Sequence, residues 1–289
     1  MKKKIFLLLM MILGISLTTT GCKQDNMEDI DIAVTNYPNE YIINRLYGKH
    51  STINRVYPDD VLISEYNVTK KQKNNFSNMG LFVYTGLVKN ERELAVDLLD
   101  INSDLKIIDT SYVLETEYSN EELWLNPSSL LMMAQNVRLG LKEYVTSNYL
   151  SKEIDKSYNK LKVDLSELDA DYRLAVENTN NKVIIVADSS LKFLEKFGLK
   201  VYCLDSDTTD KDVAEVNKLI ATGAVNYVFK YKDDKINETA EKIIGINPTI
   251  KTLDLNKIDN ITDEDRTNGK DYITLMNENL DTLKQELYQ

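Results

Sequence analysis

The chain has 289 residues, of which 46 are Asp or Glu and 35 are Lys or Arg, giving a formal net charge of −11. A surface this acidic repels phosphate backbones, which argues against nucleic acid as a partner. Hydrophobic residues make up 43% of the chain, so it can bury a core of its own, and its two cysteines are too few for a disulfide framework.

The N-terminus predicts a secretory signal. Lysines at residues 2–4 precede an apolar run at residues 5–17, which is too short to span a bilayer, where about 20 residues are needed. Small residues then lead to a Gly-Cys step that resembles the bacterial lipobox. We therefore predict a signal peptide over residues 1–21, lipidation of Cys22 and a polar tether over residues 22–29. These features predict a protein held outside the bacterial cell membrane by its lipid.

Strand-like and helix-like segments alternate after the tether. Short apolar runs rich in β-branched residues predict strands at residues 32–35, 52–56, 81–84 and 106–109, and an apolar period predicts a helix over residues 90–100. This alternation is typical of parallel βαβ construction. We predict an N-terminal α/β lobe over residues 30–148.

One long helix is predicted in the middle of the chain. Residues 151–178 contain neither Gly nor Pro, and apolar side chains recur at spacings of three and four. The pattern indicates an amphipathic helix of about seven turns, roughly 40 Å long. We predict that residues 149–180 form a stiff linker between two lobes. The alternative is a surface helix within one domain.

The second half of the chain shows the same alternation of strand-like and helix-like segments as the first. Its predicted strands lie at residues 183–186, 201–204, 225–229 and 249–255. We therefore predict a C-terminal α/β lobe over residues 181–289. The predicted fold class is α/β, with two similar (β/α)4 lobes that hold four-stranded, mainly parallel sheets and are joined by one long rigid α-helix.

Local motifs resemble the zinc and manganese solute-binding proteins of ABC importers, the cluster A-I or TroA-like group. The similar segments are residues 84–87 (YTGL), 123–127 (LWLNP), 191–199, 269–272 (GKDY) and 276–280 (MNENL). The resemblance implies a lipoprotein that captures a divalent cation between two lobes and passes it to an ABC permease and its ATPase. We expect a monomer and no enzymatic activity, since no nucleophile elbow or phosphate loop is present.

The metal-binding positions of that family are changed in this chain. Its one histidine, His50, matches none of them. The positions that match the three family histidines carry Ser64 (with Glu65 beside it), Glu122 and Asp188, and the last family acid matches Asp233 or Asp234. These are the predicted metal ligands.

Two interpretations of the predicted site stay open. An all-oxygen cage suits hard cations such as Mn²⁺, Ca²⁺ or Mg²⁺ better than Zn²⁺. The resemblance implies Mn²⁺ or Zn²⁺ as the transported ligand. In the alternative, the acids are separate solvated side chains. The protein is then a metal-free paralogue that acts as a surface interaction or adhesion module or binds another small ligand.

Overall fold

The computed structural model describes residues 25–61, 63–232 and 234–289. The predicted signal peptide, Cys22 and Asp233 lie outside these residues. No helix in the described ranges has the length and the apolar character needed to cross a bilayer.

The first lobe is built on a parallel sheet of four strands in the order β2-β1-β3-β4. The strands are β1 (Ile30–Val34), β2 (Ser51–Arg55), β3 (Leu81–Tyr84) and β4 (Lys106–Asp109). The helices are α1 (Tyr37–Tyr47), α2 (Lys70–Ser77), α3 (Lys89–Ile101), α4 (Glu122–Leu125) and α5 (Pro127–Tyr144). Because the strands are parallel, the loops that follow them meet at one edge of the sheet.

The second lobe repeats this topology with the strand order β6-β5-β7-β8. Its strands are β5 (Val183–Val186), β6 (Lys200–Cys203), β7 (Tyr227–Tyr231) and β8 (Lys251–Leu255). A 3₁₀ helix (Ser189–Phe197) follows β5, and the α-helices are α7 (Asp210–Ala221), α8 (Glu238–Ile246), α9 (Asp263–Thr267) and α10 (Tyr272–Leu287). The two all-parallel sheets confirm the predicted fold class.

Strand β7 begins two residues later than the apolar pattern predicts, as does β8, whereas β1 begins two residues earlier. Val225 is buried, but it packs as a loop residue rather than as part of the sheet. The Glu286 carboxylate on α10 accepts hydrogen bonds from the backbone N–H of Asn226 (3.0 Å) and of Tyr227 (2.9 Å). These contacts occupy the backbone where the strand was expected to begin.

The predicted linker is a single helix, α6 (Asn148–Glu177), of 30 residues. Ser147 caps its N-terminus by accepting a hydrogen bond from the Leu150 N–H (3.4 Å). A helix of this length extends about 45 Å. Its buried stripe includes Leu161, Leu165 and Tyr172. The structure thus confirms one long helix joining the lobes.

One hydrophobic cluster runs through both lobes. It contains Val83 from β3, Leu165 from α6, Phe229 from β7 and Leu275 from α10, all with at most 2% of their surface exposed. Two smaller clusters cover the outer faces of the two sheets. The lobes therefore share a core in addition to the helix that joins them.

Part of the predicted tether packs against the first lobe. The buried Asp25 carboxylate accepts hydrogen bonds from the Thr146 hydroxyl (2.7 Å) and from the N–H groups of Thr146 (2.5 Å) and Ser147 (2.6 Å). Met27 is fully buried. From Asp25 onward this segment is held at the start of α6.

Candidate functional site

A cleft of about 740 Å³ lies between the two lobes. The first lobe lines it with residues that follow its strands, among them Asn36, Glu91 and Glu121. The second lobe contributes the loops after β7 and β8, including Asp234 and Lys257. Ligands of α/β proteins bind at the carboxyl edges of the strands, and this volume is typical of small-molecule sites. The cleft is therefore the candidate functional site.

A buried polar network forms the first-lobe wall of the cleft around Glu91. Its carboxylate accepts hydrogen bonds from the Thr35 hydroxyl, the Asn36 side-chain amide (2.9 Å) and the Thr85 N–H (2.7 Å). Burial raises the pKa of Glu91 to about 7, although the hydrogen bonds oppose the shift. Glu91 therefore titrates near neutral pH in the folded protein.

This raised pKa predicts a pH-dependent contribution to stability. The pKa of Glu91 is about 7 in the folded state against 4.5 for an ordinary Glu. Its contribution is therefore fully present below pH 4.5 and is lost as the pH rises to about 7, on the order of 3 kcal/mol in all. We expect the free energy of unfolding of wild type relative to Glu91→Gln to fall across this window. Denaturant titrations at half-unit pH steps would measure it.

A matched control for that experiment is Glu93→Gln, which removes an exposed carboxylate from the same helix, α3. It should leave the pH profile of stability unchanged in shape. The prediction would fail if the difference in free energy of unfolding between wild type and Glu91→Gln stayed constant from pH 4.5 to 7. Glu91 would then be ionised in the folded protein throughout this range.

The predicted ligand Glu122 faces its own loop in this structure. Its carboxylate accepts hydrogen bonds from the backbone N–H groups of Glu117 (3.1 Å), Tyr118 and Ser119 (2.7 Å). Through these three hydrogen bonds, Glu122 stabilises the turn that precedes α4. To bind a cation in the cleft, Glu122 would exchange these bonds for the metal.

The predicted ligand Asp188 caps the 3₁₀ helix Ser189–Phe197. Its Oδ1 atom accepts hydrogen bonds from the Ser190 N–H (2.9 Å) and the Ser190 hydroxyl (2.6 Å). The same hydroxyl contacts the Tyr231 hydroxyl at the end of β7. Asp188 therefore organises the start of the second lobe's first crossover.

The other predicted ligands that the structure describes follow different strands, Ser64 and Glu65 after β2 and Asp234 after β7. Ser64 and the exposed Glu65 lie in a 3₁₀ turn, Ile63–Glu65. Of the predicted ligands whose side chains are described, Asp234 alone lines the cleft. Across residues 25–61, 63–232 and 234–289, no three His, Cys, Asp or Glu side chains lie close enough together to hold a metal ion.

Lys257, which the sequence did not single out, lines the cleft among several acids. Its Nζ atom lies 3.3 Å from Asp234 Oδ2 and 3.9 Å from Glu121 Oε1. Burial lowers the pKa of Lys257, but the carboxylates of Asp259, Asp234 and Glu121 outweigh it and raise the pKa. For Asp259, burial raises the pKa, and Lys257 offsets part of the shift. We call Lys257, Glu121, Asp234 and Asp259 the Lys257 cluster.

An ion network joins the two lobes next to Asp60 and Asp265, which line the cleft. Arg266 on α9 contacts both oxygens of Glu40 (2.8 and 3.0 Å) and both oxygens of Asp59 (2.9 and 2.9 Å). The side chains of Glu40 and Asp59 are only 9% and 5% exposed. Asp59 is also paired with Arg55. Burial raises the pKa of Asp59, but the two arginines outweigh it and hold the pKa below its usual value. We call these contacts the Arg266 bridge.

Comparison with known families gives one match over almost the whole described chain. The model of the periplasmic zinc-uptake complex component A, ZnuA, matches residues 32–286. The high-affinity zinc uptake system protein ZnuA of Bacillus subtilis is 22% identical over 297 residues, which cover 93% of this chain and 91% of that protein.

The AdcA proteins of streptococci are longer than this chain. The zinc-binding lipoprotein AdcA of Streptococcus pneumoniae is 19% identical over 310 residues, covering 98% of this chain and 61% of that protein. The zinc-binding protein AdcA of Streptococcus pyogenes serotype M1 is 25% identical over 169 residues, covering 56% of this chain and 32% of that protein. The chain thus covers less than two thirds of the length of either AdcA protein.

Solved structures share the two-lobed architecture. The Zn(II)-bound ZnuA-like domain of Streptococcus pneumoniae AdcA has a TM-score of 0.71 at 20% identity, over 90% of this chain and 100% of that chain. The metal-dependent lipoprotein YcdH of Bacillus subtilis has a TM-score of 0.73 at 18% identity, again over 90% of this chain and 100% of that one. At these identities the likeness shows the fold.

Proposed function

Because the chain belongs to the family of the periplasmic zinc-uptake complex component A, we propose that it is the extracytoplasmic solute-binding lipoprotein of a metal-ion ABC importer. The family membership confirms the resemblance predicted from the local motifs. The family is one of metal-transport solute-binding proteins, not of enzymes. In the proposed function, the protein captures a divalent cation between its lobes and delivers it to a permease driven by an ATPase.

The observation that carries this proposal is the position of the cleft. Loops at the carboxyl edges of both sheets line it, and acids from both lobes, Glu121 and Asp234, face it. Carboxylate oxygens suit Mn²⁺ better than Zn²⁺, although the relatives are named for zinc. We propose Mn²⁺ or Zn²⁺ as cargo, without the strong preference for Zn²⁺ that imidazole ligands would give.

The ligands predicted from the sequence remain part of this proposal. Cation binding would need Glu122 and Asp188 to turn from their present backbone partners toward the cleft. Ser64, Glu65, Asp233 and Asp234 remain predicted ligands. We also propose that lipidated Cys22 holds the protein, as a monomer, at the outer surface of the cell membrane.

The volume of the cleft favours a second candidate function. About 740 Å³ is far more than a bare ion needs, and it suits a polar solute of small-molecule size. In this candidate the chain is a metal-free paralogue that keeps the fold and binds a different small ligand. The presence of Lys257 among the cleft acids supports it.

Thermal melting of the metal-stripped protein tests metal capture. We expect Mn²⁺ to raise the Tm at least as much as Zn²⁺ and more than Ca²⁺ or Mg²⁺. A ligand that binds only the folded state stabilises it by about 2.7 kcal/mol at a hundredfold excess over Kd. Asp234→Asn, Glu122→Gln and Asp188→Asn should each reduce the shift, and the exposed Asp281→Asn should not.

The stability of each variant without metal must be measured in the same series, because Glu122 and Asp188 also hold backbone N–H groups. A Tm that no cation raises would reject metal capture and leave the second candidate. Equal shifts in wild type and in all three predicted-ligand variants would place the cation elsewhere.

A further inference from the structure

The Lys257 cluster already contains a positive charge where the acids of the two lobes meet. Glu121 belongs to the first lobe, and Asp234, Lys257 and Asp259 belong to the second. The Lys257 ammonium lies within 4 Å of an oxygen from each lobe, at 3.9 Å from Glu121 and 3.3 Å from Asp234. The Lys257 ammonium therefore occupies the position that a cation bridging the two lobes would take.

The backbone of Lys257 is fixed from both lobes. Its carbonyl oxygen accepts a hydrogen bond from the Trp124 indole N–H of the first lobe (3.0 Å). The preceding residue, Asn256, is held by two hydrogen bonds to Asn279 on α10 (2.6 and 2.9 Å). The ammonium also lies 5.7 Å from the centre of the Tyr231 ring. Lys257 is thus a positioned group and not a free surface lysine.

The backbone conformation of Ile258, the residue after Lys257, also shows that this loop is constrained. Ile258 is buried and has φ = 62°, a left-handed conformation that is a genuine outlier for a β-branched side chain. With Ile258 in this conformation, the side chains of both Lys257 and Asp259 line the cleft. Strained residues persist only where the surrounding structure enforces them, and they concentrate at functional sites.

The electrostatics of the cluster depend on the lysine. Three carboxylates that share a cleft repel one another unless a cation lies among them or they take up protons. The ammonium supplies that cation, and it raises the energy of any second cation brought close to it. A divalent ion in the cleft therefore has to displace Lys257 or to bind beside it against repulsion.

From this geometry we propose that Lys257 is a tethered cation that competes with divalent metal ions for the acids of the interlobe cleft. Lys257 is then the residue that determines how tightly the cleft holds a bare metal ion. When metal binds, the ammonium leaves Glu121 and Asp234 and turns out of the cluster. The inference rests on the proposed function in taking divalent cations as the ligands of the cleft.

Titration calorimetry of the metal-stripped mature protein with Mn²⁺ and with Zn²⁺ tests the proposal. We expect Lys257→Met to bind Mn²⁺ at least about tenfold more tightly than wild type, since a charge a few Å from a divalent ion changes its binding by that much even at a high dielectric constant. Lys257→Arg keeps the charge and should bind no more tightly than wild type. In the Lys257→Met background, Asp234→Asn should remove the gain.

The matched control is Lys232→Met. Lys232 also lines the cleft and is exposed, so its loss changes the net charge equally without opening the Lys257 cluster. An affinity for Lys257→Met within about threefold of wild type, or no greater than that of Lys232→Met, would overturn the proposal. The fate of the proposed function is separate. If wild type binds metal tightly and Lys257→Met binds it no more tightly, only the tethered-cation proposal is rejected. If wild type binds no metal and Lys257→Met does, only metal capture by the native chain is rejected.

Discussion

Arg266→Met should lower the free energy of unfolding by about 3 kcal/mol, because it leaves carboxylates buried without their partner. Glu40 and Asp59 are largely shielded from water, and Arg266 satisfies both oxygens of each. Asp59 keeps its contact with Arg55, so most of the loss should come from Glu40. Urea denaturation of the metal-free protein at neutral pH would measure the effect.

Two further variants separate this effect from a general loss of surface charge. Lys270 also contacts two acids, Asp265 and Glu278, but all three belong to the second lobe. The side chains of Asp265 and Glu278 are 16% and 42% exposed, against 9% and 5% for Glu40 and Asp59, so water can solvate them better and Lys270→Met should cost less than Arg266→Met. Adding Glu40→Gln to Arg266→Met should restore part of the loss by removing the unpaired charge. A cost for Arg266→Met equal to that for Lys270→Met would show that water solvates Glu40 readily.

Leu165→Pro should prevent stable folding altogether. A proline in a helix interior costs about 3 kcal/mol or more, and losing a buried leucine adds about 2–5 kcal/mol. Leu165 is 1% exposed and lies in the core that both lobes share. The sum is comparable to the 5–15 kcal/mol that stabilises a typical domain. Far-UV circular dichroism and denaturant titration would reveal the loss.

Leu165→Ala supplies the comparison, because it removes the same side chain and keeps α6 continuous. It should cost about 2–5 kcal/mol and still fold. Val163→Ala, at a 54% exposed position on the same helix, should change stability by no more than about 0.5 kcal/mol. If Leu165→Pro were as stable as Leu165→Ala, α6 would have to tolerate a kink at its centre.

The fold could be predicted because its signals are local. The strands β1, β3, β5 and β7 are largely buried and read as short apolar runs. The helix α6 has no residue that breaks its period. The error of two residues at β7 has a non-local cause, since Glu286 lies about 60 residues from the backbone groups that it binds. Such a pairing leaves no periodic trace in the sequence.

The candidate site was harder to predict for two reasons. Glu122 and Asp188 match family ligand positions, but each is also part of a local capping pattern. Ser119 and Glu122 have the spacing of a capping box, and Asp188 precedes Ser190 as an N-cap residue does. These patterns signalled a structural role for both acids. Lys257, in contrast, contacts Glu121 from more than 130 positions away, which only the folded chain reveals.

The core shared by the two lobes has a consequence for how the molecule folds. Two domains joined by a linker alone can unfold one after the other, each as a cooperative unit with its own transition. Here Val83, Leu165 and Phe229 belong to one buried cluster, so melting either sheet exposes apolar surface on the other lobe. We therefore expect the two lobes to unfold in one transition, because each lobe completes part of the core of the other.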